Sequence, residues 1–363
     1  MLDSIYKSIS ASIWRLSLAG GLLFTVGMII LSYVIANPSL RIILVLSLSF
    51  LAGVTLARLF YAFKTRRSLK RKIWRSLLSA LTILLVYLSI QWKAVSDKGG
   101  EVRQEPFRIA GNLYYVGTKE MTSFLITGDE GHVLIDGGYQ GNTDMIIKNI
   151  NLLGFKITDV KILLNSHAHV DHAGGLSALQ KASGAELWIS EPDAELIKSG
   201  GAGRRNLAIM NFLIYIGLVK YPTPHIDHQF EDGTKIRLGS IELTANITPG
   251  HTPGSTSWTF PVIDGNRRLL AVNASSLTAI PSSIFGERYD AALRREFTQS
   301  FKKLRSIPAD LFLAPHASFF NMANKLKQRV ANADPMAPFI DREGYLKYID
   351  RSEEKFRKVV SGR

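Results

Sequence analysis

Three histidines and an aspartate fall within six positions of the stretch "NSHAHVDHAGG", Asn165 to Gly175: His167, His169, Asp171 and His172. The whole chain has only 8 histidines. Each of these four side chains can give a lone pair to a metal ion. The run "DVKILLN" just before them is apolar and reads as a buried strand. In extended backbone residues two apart point to one side, so His167 and His169 face together. The chain must then turn, which carries Asp171 and His172 toward the same space. A catalytic zinc takes about three protein ligands and keeps one position open. Two ions therefore suit this spacing better than one, each holding two of the four residues and needing one more.

Two further histidines stand in matching context. His251 ends the strand-like "TANITPGH" and His316 ends the strand-like "LFLAPH". Both follow an apolar strand and a proline, at an edge where loops and sites gather. The first ion is then expected on His167, His169 and His251, and the second on Asp171, His172 and His316. A single histidine after a strand is often only a satisfied polar group, so these two depend on the cluster for their assignment. The chain has no cysteine. Disulfides, thiolate sites and a cysteine nucleophile are excluded, and an all nitrogen-and-oxygen ligand set suits zinc. His132 reads as part of a turn in "DEGH". His225 and His228 read as part of the loop "YPTPHIDH", although their spacing could also bind a metal.

From Phe107 on, the pattern is α/β. "NLYYVG", "SFLITG", "GHVLIDGG", "DVKILLN", "AELWIS", "IELTANITPGH" and "DLFLAPH" read as strands. "TDMIIKNINLLG" and "GLSALQKASG" read as helices closed by Gly154 and Gly184.

The first quarter is of another kind. Three apolar runs, about 16–36, 42–63 and 73–92, each approach the roughly 20 residues that a helix needs to cross a bilayer. Their connecting segment "KTRRSLKRK" carries 6 positive charges and is expected on the cytoplasmic side. The N-terminus is then cytoplasmic, and everything after Trp92 lies outside the cytoplasm, in a periplasm where there is one. Residues 1–93 form the expected membrane region, 94–106 a linker and 107–363 the α/β domain. The net charge is +14. Residues 1–99 hold 13 basic and 2 acidic residues, while residues 100–363 hold 31 and 28. The basicity thus belongs to the membrane region, which predicts a lipid bilayer rather than nucleic acid as the partner. Ala19-Gly20-Gly21 would permit homo-oligomerisation through the first helix.

"SHAHVDHAGG", "TPGHTPGSTSWTF" and "APHASFF" resemble the metal motifs of the metallo-β-lactamase superfamily, closest to the class B subgroup without a cysteine ligand, the third. "LIDGG", "LGFKITDVKILLNSHAH" and the tail "PFIDREGYLKYIDRSEEKF" are similar to it as well. The resemblance covers roughly Phe107 to Phe356. It implies an αβ/βα sandwich with two Zn2+ ions on the six residues above. It also implies opening of a β-lactam ring by zinc-bound hydroxide, with Asp171 in the catalytic machinery. Ser276 and Thr278 of "SLT" would lie near a substrate carboxylate. Ser275 stands where the family more commonly has Asp. Asp136 in "LIDGG" resembles the superfamily's turn acid and would either orient a ligand histidine or cap the turn before Gly137. The H-x-H-x-D-H run alone is shared with thioesterases, lactonases and nucleases. Another ester, thioester, lactone or phosphoester is therefore the alternative substrate, and a non-catalytic membrane sensor a third reading.

The apolar stretch "NLAIMNFLIYIGLVKY", 206–221, is too short to span a bilayer. It fits a core helix, a lid over the site, or a segment resting on the membrane surface.

Overall fold

The computed structural model describes residues 102–203, 211, 214, 215, 220–279 and 291–361. The three apolar runs of the first quarter lie outside these residues. Among the described residues no helix is long and apolar enough to cross a membrane. The chain divides into two units at Ser96–Asp97, and all described residues belong to the second.

Two sheets face each other. The first has seven strands in the order β1 (Phe107–Ala110), β2 (Leu113–Tyr115), β3 (Phe124–Thr127), β4 (His132–Ile135), β5 (Val160–Leu164), β6 (Glu186–Ser190), β7 (His228–Phe230). Its first four strands are antiparallel and its last four parallel. The second sheet runs β12 (Leu311–Leu313), β11 (Arg267–Asn273), β10 (Thr256–Asp264), β9 (Ile241–Ile247), β8 (Lys235–Leu238), with only the β11–β12 pair parallel. Helices cover the outer faces. α1 (Thr143–Leu152), α2 (Val170–Ala173), α3 (Leu176–Ser183) and α4 (Ala194–Lys198) lie in the first half; α5 (Ala291–Ser306), α6 (Met322–Ala331) and α7 (Arg342–Ser361) follow in the second.

The period of two along each strand sorts side chains between layers. In β4, Val133 and Ile135 enter the core shared by the two sheets, while Leu134 enters the core beneath the helices. In β5, Ile162 and Leu164 go inward and Leu163 goes to the helices. Burial on both faces explains why "VLI" and "ILL" read as unbroken apolar runs. Trp258, Phe260 and Phe124 fill the space between the sheets, and Phe297, Phe301 and Phe356 seal α5 and α7 over the second sheet. Each such fully buried side chain contributes roughly 1.5–3 kcal/mol of transfer free energy.

The αβ/βα sandwich expected from the sequence is thus present. Gly154 and Gly184 follow their helices with φ of 87° and 72°, the left-handed closure only glycine adopts at little cost. Two readings of local elements need correction. His132 opens β4 rather than sitting in a turn, with its ring edge-on to Phe155 at 5.0 Å. Likewise His228 opens β7 and stacks on Trp188 at 4.1 Å, which leaves only His225 in the loop.

Candidate metal centre

The strands β4, β5, β6 and β12 all deliver their C-terminal ends to one edge of the sandwich. That is where open α/β sheets place their sites, because the loops there are free of packing duties. β5 ends at Leu164, and His167 and His169 follow within five residues. Asp171 and His172 lie on the single turn α2 that comes next. His251 is in the β9–β10 loop and His316 follows β12.

All six side chains meet. Ligand atoms of His167, His169 and His251 lie within 4.8 Å of one another, and so do those of His167, Asp171 and His172. His169 Nδ1 is 3.0 Å from His251 Nε2. On the other side His172 Nε2 is 3.2 Å from both His316 Nε2 and Asp171 Oδ2, and His316 Nε2 is 3.4 Å from Asp171 Oδ2. Two nitrogens bonded tetrahedrally to one zinc at 2.0–2.1 Å stand about 3.3 Å apart. The donor set therefore fits a metal. A second observation agrees: His167 Nε2 is buried with no hydrogen-bond partner. Orphaned buried nitrogens are rare in proteins and call for an unseen partner.

On the outer side His167 and His251 are hydrogen-bonded, while His172 Nδ1 lies beside Asp136 without a hydrogen bond. His251 Nδ1 donates to the Thr278 carbonyl at 2.7 Å, which turns its Nε2 lone pair toward the centre. His167 Nδ1 lies 3.1 Å from Ser166 Oγ, which donates to Asp136 Oδ2 at 2.7 Å. Asp136 Oδ2 is also 3.5 Å from His172 Nδ1, and Oδ1 accepts from Asn165 Nδ2 and the Ser166 amide at 2.9 and 2.6 Å. His316 Nδ1 has Glu120 at 3.7 Å. Such outer partners fix tautomer and ring direction, and removing one typically costs 10–100-fold in affinity or activity.

Burial, followed by repulsion from the other histidines, pushes His167 well below its ordinary value. Burial likewise lowers His169 and His251, and takes His316 down to about 4. These four are neutral, and ready as ligands, at pH 7. For His172 burial also lowers the pKa, but the Asp171 and Asp136 carboxylates outweigh it and hold it at about 10. Burial raises Asp171, yet His172 and its neighbours win and keep it ionised. The pH dependence of the metal-free protein follows. An unfolded histidine titrates near 6.5. The four lowered groups give stability that is full above that value and is lost as the pH falls below it. His172 acts oppositely: its contribution is full below 6.5 and lost as the pH rises toward 10. Urea unfolding in EDTA should therefore show stability falling on both the acid and the alkaline side of neutrality.

Two residues that sequence reasoning missed grip the loop between the first two ligands. Asp193, in the turn after β6, accepts from the Ala168 amide at 3.1 Å, from Thr252 Oγ1 at 2.7 Å and from the Gly254 amide at 2.7 Å. It thereby ties the His167–His169 turn to the His251 loop. From the other side Tyr221 donates its hydroxyl to the Ala168 carbonyl at 2.8 Å. Nothing in "EPDAEL" or "VKYPT" marks these residues, because the contacts span 25 and 53 positions. Asp193→Ala should weaken zinc binding by about 10–100-fold, read by chelator competition, with Tyr221→Phe nearer the lower end. Unchanged affinity in both would leave them purely structural.

The other expected site residues divide. Ser276 is 1% exposed, and its Oγ faces the Thr278 amide at 3.4 Å inside the turn. Thr278 is exposed and serves His251 through its carbonyl. Ser275 is buried, with Oγ on the Ser166 carbonyl at 3.2 Å, so it braces the ligand loop with a hydroxyl. Most of 206–221 lies outside the described residues. Ile214 is buried and Tyr215 is 87% exposed, and Tyr221 brings the end of the stretch to the metal loop.

Inward-facing imidazoles and one ionised carboxylate, at the open edge of an αβ/βα sandwich, define a metal-dependent hydrolase. The chain belongs to the metallo-beta-lactamase superfamily, whose model matches residues 121–316. Among solved structures it is similar to the Rm3 metallo-beta-lactamase, with 35% identity and a TM-score of 0.65 over 72% of this chain and 95% of that one. It is similar also to BJP-1, a subclass B3 metallo-beta-lactamase of Bradyrhizobium japonicum, with 30% identity and a TM-score of 0.65 over 74% and 97%. Curated relatives include a hydroxyacylglutathione hydrolase of a Jannaschia species, 26% identical over 43% of this chain and 46% of that protein. An N-acyl homoserine lactonase of Rhizobium radiobacter is 27% identical over 42% and 64%. The chain thus spans less than two thirds of the length of these curated relatives.

Proposed function

We propose that this protein is a membrane-anchored, two-zinc β-lactamase. The observation that carries the reading is the convergence of all six ligands on one edge, in a fold shared with subclass B3 β-lactamases over nearly their whole length. His167, His169 and His251 would hold one ion, and Asp171, His172 and His316 the other. Zinc held there supplies Lewis-acid polarisation of a carbonyl and lowers the pKa of water to about 7. Asp171 Oδ2 is ionised and faces the space between the two trios. As a ligand of the second ion it would orient the attacking water by accepting its hydrogen bond, and the proton that water loses would pass to the lactam nitrogen as the C–N bond breaks. Burial and the nearby Asp171 carboxylate keep Tyr139 protonated, and it would be available as a hydrogen-bond donor. Asp136 and Glu120 hold the rings in line through their outer nitrogens.

A second reading keeps this machinery and changes the substrate to a lactone or thioester, as the names of the curated relatives suggest. Comparing kcat/KM for nitrocefin, a carbapenem, an N-acyl homoserine lactone and a lactoyl thioester of glutathione separates the two. The lactams should lead by at least tenfold. A lactone or thioester in the lead would move the function to the second reading. The apolar runs of the first quarter and their basic connecting loop support anchoring with the hydrolase outside the cytoplasm. A reporter enzyme active only in the periplasm, fused after Lys98, should then be active.

A further inference from the structure

A groove of about 760 Å³ opens beside the metal centre and carries none of the six ligands in its wall. That volume lies in the range of small-molecule sites. Its near end is formed by Thr278, whose carbonyl holds His251, and by Phe319, whose ring is 4.7 Å from that of His316. Phe319 stacks on Tyr348 at 5.5 Å, and with Leu277 they make an apolar floor. The Tyr348 hydroxyl donates to the Ser275 carbonyl and accepts from the Leu277 amide, both at 3.1 Å, which fixes this end against the ligand loops.

The far wall is one face of α7. Lys347, Arg351, Lys355 and Lys358 all line it, at intervals of four, four and three residues. That spacing places them in one stripe. Two acids of α7 are directed elsewhere: Asp350 and Glu353 pair with Arg305 of α5 at 2.7 and 2.5 Å. The two acids on the groove wall are engaged as well, Asp341 with Lys325 at 2.7 Å and Glu343 with Lys347. Lys358 pairs with Glu354 at 2.5 Å. Arg351 and Lys355 have no carboxylate partner among the described residues. Arg351 and Lys355 lie three and seven positions beyond Tyr348, rises of about 5 and 10 Å along the helix.

We infer that this groove is a subsite for the distal arm of an amphiphilic, anionic substrate. An apolar stretch would lie on Leu277, Phe319 and Tyr348, and an anionic end group would meet Arg351 and Lys355, about 5–10 Å further along. The inference rests on the hydrolase reading above and narrows its substrate to molecules with an acidic group remote from the bond that is cut.

The test is calorimetric binding of 4-phenylbutane-1-sulfonate to the zinc-loaded full chain, beside the neutral 4-phenylbutan-1-ol. A sulfonate is a poor zinc ligand, so direct capture by the metals does not compete. The sulfonate should bind at least tenfold more tightly than the alcohol. The double variant Arg351→Glu/Lys355→Glu should erase that preference and leave the alcohol unaffected. The double variant Lys302→Glu/Lys327→Glu, on α5 and α6 off the groove, makes the same change in net charge and should keep it. Equal binding of the two compounds by the wild type, no binding of either, or a preference that survives charge reversal would overturn the subsite. Nitrocefin, lactone and thioester turnover on the same samples reports separately on the hydrolase reading. Anion preference without any turnover would sink that reading and keep the groove as an anion site.

Discussion

A His167→Ala variant should lose both zinc affinity and zinc-dependent turnover, the latter by about 10³-fold, or ~4 kcal/mol of transition-state stabilisation. The size follows from its position. His167 is within reach of both clusters of ligand atoms, so its loss removes a ligand of one trio and a neighbour of the other. Losing an outer partner alone costs 10–100-fold, and a direct ligand must cost more. The metal-free fold should respond differently. His167 is 2% exposed and its Nε2 has no partner, so in the absence of metal it is a buried polar group whose desolvation goes uncompensated. Its removal should therefore change the metal-free Tm little, while the rise in Tm on adding zinc largely disappears. Saturating zinc at a thousand times its Kd contributes about 4 kcal/mol, so the loss is large on a thermal scan. An unaltered zinc-induced rise in the variant would show that His167 is not a ligand.

The second large effect is expected at Asp136. Its carboxylate accepts from Asn165, from the Ser166 amide and from Ser166 Oγ, and faces His172 Nδ1. It is 1% exposed. Asp136→Ala leaves these donors unsatisfied in the interior, at roughly 1–3 kcal/mol each before relaxation. We expect a loss of about 3 kcal/mol in urea unfolding and a 10–100-fold loss of zinc affinity. The backbone adds a control. Asp136 has φ of 64°, a left-handed conformation that costs an ordinary side chain about 1–2 kcal/mol. Asp136→Gly relieves that strain and removes the same carboxylate. It should be more stable than the alanine variant and equally poor in zinc. If glycine restored zinc affinity, backbone strain rather than the carboxylate would be the cause.

The parts of this site legible in the sequence are those written locally. His167, His169, Asp171 and His172 are neighbours in the chain, and a strand-then-turn reading places them together. His251 and His316 were legible because each ends an apolar run, although only the fold brings them within 3.0 and 3.2 Å of their partners. Asp136 was ambiguous between turn cap and orienting group, because its left-handed turn and its carboxylate contacts coexist. Asp193, Glu120 and Tyr221 were not legible. Their bonds join loops far apart in sequence, and a single acid or tyrosine in a polar loop carries no periodic signal. Ser276 entered through the resemblance of "SLT" to the family, and the fold sets its hydroxyl against the Thr278 amide inside the turn. His132 and His228 were read from their polar flanks, whereas strand pairing on one side and aromatic packing on the other decide both.

Metal dependence is the claim on which the rest stands, and a zinc titration of the stripped full chain tests it most directly. Hydrolysis of nitrocefin would be followed as zinc is added, then as EDTA is added. Turnover should appear with zinc, level off at two equivalents per chain and vanish with EDTA. A folded chain that binds no zinc, or turnover indifferent to both zinc and EDTA, would contradict the account.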